Sequence, residues 1–139
     1  MKTSKLNMST EEIHNILTPY WAKAFVVLVG TGLSTIWINP GTFYTGYVLD
    51  MTGPAWNYIL FRGLFTGYSQ NLWSRFFTPI RTVFIFVLVC YGIEITQYLK
   101  LYDSTYDPFD FLAYVSILVP IFIIDFYFSG NGNKLKKKN

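Results

Sequence analysis

The stretch IRTVFIFVLVCYGIEITQYL, from Ile80 to Leu99, decides the fold class. About twenty residues of α-helix rise roughly 30 Å, the thickness of a bilayer's hydrocarbon core. The only charges in this stretch are Arg81 near its start and Glu94 near its end, so it reads as a membrane-crossing helix. Working outward, Ala22 to Ile38, Phe43 to Phe61 and Phe109 to Phe128 have comparable length and apolarity. The second of these contains Asp50 and the pair Gly53-Pro54. It is expected to cross fully but to be kinked or partly unwound around Thr45 to Asp50, a re-entrant segment being the alternative. Pro120, in the middle of the last stretch, cannot donate to the carbonyl of Ser116 and is expected to bend the helix. Asn39-Pro40-Gly41 and the segment from Tyr102 to Pro108 supply the turns on one side.

Composition agrees with this reading. Of 139 residues, 52% are hydrophobic and 14% charged, against about 25% charged in soluble domains. Such a low charge excludes a disordered or acidic solvating chain. Cys90, the single cysteine, excludes a disulfide scaffold and a thiolate zinc site. With four crossings and both termini cytoplasmic, the inner side carries Lys2, Lys5, Lys23, Arg62, Arg75, Arg81, Lys134, Lys136, Lys137 and Lys138, and the outer side only Lys100. This asymmetry fixes the expected orientation, because cations are retained on the cytoplasmic face. No cleaved signal peptide is expected, since Lys23 lies close to the start of the first span and no small-x-small site follows it.

Two segments are expected to lie flat on the cytoplasmic surface. Ser9-Thr10-Glu11-Glu12 has the form of a capping box opening a short helix that ends before Pro19, with Ile13, Ile16 and Leu17 on one face. Between Ser69 and Phe77, residues Leu72, Trp73, Phe76 and Phe77 share a face beside Arg75. The basic tail, residues 129–139, is expected to place Lys134, Lys136, Lys137 and Lys138 on anionic lipid headgroups. Gly63 with Gly67, and Gly30 with Ser34, read as close helix-packing pairs. The expected fold is a single all-α membrane domain of four transmembrane helices with short cytoplasmic interfacial helices.

Asp50, Glu94 and Asp110 fall in the outer half of this arrangement, with Asp103 and Asp107 in the outer loop and only Lys100 to balance them. Gln97 follows Glu94 by one turn and Tyr114 follows Asp110 by one turn, so each helix presents a polar pair inward. One reading is an outward-facing pocket for a ligand or partner, formed by Asp50, Glu94, Gln97, Asp107, Asp110 and Tyr114. The other is neutral carboxyls gluing helices together, with Asp107 and Asp110 capping the helix that Pro108 opens. Asp125, near the inner end of the fourth span, is expected to expose its head at the interface. His14 has no ligand-spaced partners and reads as a surface histidine, which leaves calcium, magnesium or an amine as candidate occupants of a carboxylate pocket, with no metal specified. No cofactor or nucleic-acid partner is expected, and no nucleophile arrangement or phosphate loop is present in the sequence.

The segments Tyr91-Gly92-Ile93-Glu94-Ile95-Thr96-Gln97-Tyr98 and Tyr106-Asp107-Pro108-Phe109-Asp110 resemble the VanZ-like family of small bacterial membrane proteins. The family's Glu-x-x-Gln and aromatic-Asp-x-x-Asp elements correspond to Glu94, Gln97, Asp107 and Asp110, and Asp50 is similar to an acidic position in its preceding helix. Tyr114 stands where the family usually has an asparagine, and Asp103-Ser104 where it has an arginine. The resemblance implies the bacterial inner membrane and a cell-envelope role rather than a particular reaction. The functional expectation is accordingly a pocket binding a cation or an envelope amphiphile without catalysis. The alternatives are an accessory subunit of a larger membrane complex, and an envelope-lipid enzyme or proton-coupled carrier.

Overall fold

The computed structural model describes residues 10–38, 41–64, 72–101 and 106–136. Among them the chain is all-helical, with no strand. Helix α1 spans Thr10–Ser34 and α2 spans Thr42–Ile59, continued by a π-helical turn at Leu60–Leu64; the short α3 spans Leu72–Phe76, α4 Pro79–Tyr98 and α5 Pro108–Lys136. Among the described residues, three segments are long and apolar enough to cross a membrane: Asn15–Ser34, Pro79–Tyr98 and Pro108–Ser129.

Among the described residues, α2 supplies more buried side chains than any other helix. It packs on α1, α4 and α5, and it supplies the buried Thr52, Ala55, Tyr58 and Ile59. Side-chain bonds fix the directions of its neighbours. Ser34 at the end of α1 meets Tyr44 at the start of α2. Tyr47 near the start of α2 donates to Asp107 at the start of α5, and Arg62 just past α2 pairs with Asp125 far along α5. Tyr114 near the start of α5 reaches Glu94 near the end of α4. The long helices therefore run up, down, up and down. One end of the bundle collects Tyr44, Glu94, Lys100 and Asp107, and the other Arg62 and Asp125.

Three local expectations are corrected. α1 does not stop before Pro19 but runs through it: proline removes one backbone bond, and the apolar run that follows, from Ala24 to Val29, keeps the chain helical. After Ser34 the chain turns through Thr35 and Trp37, so the helix ends short of Ile38. The capping-box residue Ser9 lies outside the described residues. α2, likewise, is not unwound around Thr45 to Asp50; it stays helical across Gly53-Pro54, and the carbonyl of Gly53 is taken by the side-chain amide of Asn57. The irregular geometry comes later, as the π turn that carries Arg62. Finally, the close approach on α1 is at Gly32 rather than Gly30. A Cβ at Gly32 would sit 2.5 Å from Thr52 Oγ1, whereas one at Gly30 would meet nothing within 4 Å. Of the pair Gly63 and Gly67, the second lies outside the described residues.

Local sequence also sets the helix ends at the site. Thr78 caps α4 by accepting from the Arg81 N–H at 3.4 Å, with Pro79 in the first turn where its missing donor costs nothing. α4 closes with paired bonds from Leu101 N to Thr96 O and from Lys100 N to Gln97 O, and Lys100 takes the left-handed φ of 53° that such an ending requires. Asp107 caps α5, accepting from Phe109 N at 2.9 Å.

Candidate functional site

Because α4 and α5 are antiparallel, the polar face at the end of α4 meets the polar face at the start of α5. Tyr114 Oη donates to Glu94 Oε1 at 2.9 Å. Both residues are deeply buried, Glu94 at 6% and Tyr114 at 5% exposure. Among the described residues, the second carboxyl oxygen, Glu94 Oε2, is buried with no hydrogen-bond partner, and so is Gln97 Oε1 one turn along. Asp50 approaches from α2, half-buried and within electrostatic reach of Glu94 and Asp110. Cys90, buried one turn before Glu94, lies within electrostatic reach of Asp50 and Glu94. Three helices thus bring Asp50, Glu94, Asp110 and Tyr114 together, with Gln97 at their edge.

Asp107 stands apart from this group in function. One oxygen caps Phe109 and the other accepts from the Tyr47 hydroxyl, so it ties α2 to α5 at the mouth of the cluster. The Tyr47 hydroxyl, and after it the Phe109 N–H, hold its carboxyl below the ordinary value of 3.8. Tyr47 was not among the expected site residues; its position one turn before Asp50 and Met51 on an apolar helix carries no signal of a bond to a loop sixty residues away. Of the tail lysines, Lys134 and Lys136 fall in the last turns of α5, while Lys137 and Lys138 lie outside the described residues.

A buried carboxyl oxygen without a donor costs about 1–3 kcal/mol, and more when charged. That cost is removed when a positively charged or hydrogen-bond-donating group enters and is held by Glu94, Gln97 and the nearby Asp50 and Asp110. Among the described residues, no group of three or more His, Cys, Asp or Glu side chains is arranged to hold a metal ion. The geometry therefore fits an organic cation or an amine better than a calcium ion, which takes six to eight oxygens.

The opposite end holds a second carboxylate, and here an expectation fails. Asp125 does not expose its head at an interface. Arg62 Nε donates to Asp125 Oδ2 at 2.8 Å and Arg62 Nη2 to Oδ1 at 3.2 Å, with both side chains only 13% exposed. Tyr58 donates to Oδ2 at 2.6 Å and Ser129 to Oδ1 at 3.2 Å. Arg62 also reaches the Phe77 carbonyl at 2.8 Å, joining α2, α5 and the start of α4. The signal that finds this network is its spacing: Tyr58 and Arg62, and Asp125 and Ser129, are both four residues apart and so share faces of their helices.

Comparison of the chain with protein-family models, with curated proteins and with solved structures gives no match.

Proposed function

We propose that the protein is a multi-pass membrane protein of VanZ-like type that binds, without catalysis, a cation or the cationic head of an envelope amphiphile. In this reading α1, α2, α4 and α5 all cross the bacterial inner membrane, α3 and the tail lie on the cytoplasmic face, and the acidic end faces outward. Support for four crossings comes from α2 running alongside α5, bonded to it at Tyr47 and again at Arg62. Support for the orientation comes from the distribution of Lys and Arg.

The observation that carries the reading is the pair of buried acceptors, Glu94 Oε2 and Gln97 Oε1, without a donor and beside two further acids. Titration of the full chain in neutral detergent with decylammonium, and separately with calcium, tests it through tryptophan fluorescence. Saturable decylammonium binding, weakened at least ten-fold in Glu94→Gln while that variant remains folded, supports the pocket. Unchanged binding in Glu94→Gln, with Glu94→Leu lowering stability only, makes Glu94 neutral helix glue and overturns it. A partner subunit's Lys or Arg is the alternative donor for the same acceptors, and a stoichiometric co-purifying chain lost in Glu94→Gln identifies it.

A further inference from the structure

At the Arg62 end of the bundle, a groove of about 600 Å³ is lined by Leu72, Trp73, Arg75, Phe76, Phe77 and Arg81. Its floor is built. Trp73 stacks on Phe61 with ring centres 5.4 Å apart and lies 4.5 Å from the Phe77 ring, while its indole N–H is held by the Phe61 carbonyl at 3.2 Å. Its rim is apolar and uncovered: Leu72 is 83% exposed and Phe76 is exposed beside it. Arg75 and Arg81 differ from Arg62 in that their guanidinium groups have no acceptor among the described residues. Two cationic forks therefore border an apolar trough, and the complementary molecule is one with an anionic head and a hydrocarbon chain.

We propose that this groove seats an anionic phospholipid, with its phosphate between Arg75 and Arg81 and the upper part of one acyl chain along Leu72 and Phe76. The guanidinium fork matches phosphate oxygens in pairs, and the volume lies in the range of small-ligand sites. A soluble phosphate satisfies the arginines but leaves the apolar rim in water, which favours the lipid. The proposal rests on this end of the bundle meeting a membrane surface and is independent of the acidic site at the other end.

Native mass spectrometry of the full chain in neutral detergent, with dioleoyl phosphatidylglycerol against dioleoyl phosphatidylcholine, tests it. One phosphatidylglycerol is retained preferentially. A cation near an anionic lipid surface strengthens binding about five-fold, so Arg75→Gln with Arg81→Gln weakens retention about 25-fold. Phe76→Ser weakens it without altering charge, and neutralising the tail lysines leaves the preference in place. Should the double variant unfold, the single variants, each at an exposed position, carry the same test. Equal retention of the two lipids, unchanged retention without the arginines, or loss only in the tail variant overturns the proposal. Full competition by inorganic phosphate at matched concentration makes the groove a soluble-anion site and overturns it equally.

Discussion

Asp125 and Glu94 are both acids inside a helical bundle, one at each end, and they differ in what donates to them. Asp125 receives Tyr58, Ser129 and two nitrogens of Arg62. Among the described residues Glu94 receives Tyr114 alone, and its other oxygen is buried without a partner. A charge removed from water is tolerated when its lone pairs are filled. The first site is therefore complete as it stands and reads as a strut holding α2 to α5. The second has an acceptor left open among the described residues, which is the condition expected of a group that receives a further donor.

The largest test of this contrast falls on the complete site. Arg62→Ala leaves Asp125 largely buried with no counter-charge and only Tyr58 and Ser129 as donors, and breaking a buried pair in this way costs about 3–5 kcal/mol. Unfolding in detergent checks it, and adding Asp125→Asn to the Arg62→Ala chain restores part of the loss because the stranded charge is gone. A cost below about 1 kcal/mol, the range of exposed ion pairs, would erase the distinction between the two ends.

Tyr114→Phe probes the incomplete site and has a smaller effect. It removes the single donor to Glu94 while keeping the ring in place, with an expected cost of about 1–3 kcal/mol. A cost equal to that of Arg62→Ala would mean that Glu94 already carries a full charge balanced through Tyr114, and the ends would then differ in degree only.

These two sites also separate what was legible in the sequence from what was not. Glu94 with Gln97 and Asp110 with Tyr114 could be placed together because a short loop makes α4 and α5 antiparallel neighbours and helical spacing aligns each pair. Asp107 before Pro108 similarly announced its cap. Arg62 and Asp125 are 63 residues apart, on helices that α3 and α4 separate along the chain. Assigning Arg62 to a surface by charge count hid its role, since counting treats every cation as solvated. Gly32 was missed for a related reason. α1 is apolar around most of its circumference, so nothing in its pattern says which face turns toward Thr52. Pro19 suggested the end of a helix, and Gly53-Pro54 a kink or partial unwinding, because proline removes a donor. Within a helix enclosed by lipid or protein, however, the remaining bonds have no water to replace them and the helix continues.

The smallest effect concerns Asp107, the carboxylate at the acidic end that is satisfied. It shows that donors, and not location, distinguish the sites. Its folded pKa lies below 3.8, held down first by the Tyr47 hydroxyl and then by the Phe109 N–H. For a carboxyl depressed on folding, the unfolded chain binds the proton more readily. The stabilisation is therefore present above the unfolded value and fades as pH falls through the folded one. Asp107→Asn keeps an oxygen able to cap Phe109, since asparagine caps as well as aspartate, but it has no proton to gain. The melting temperature of the native chain should exceed that of Asp107→Asn at neutral pH, and the gap should close as pH drops below 3.8. A gap that stays constant through that range would mean that the advantage of Asp107 over asparagine does not come from its charge, and Asp107 would then be no carboxylate stabilised as an anion.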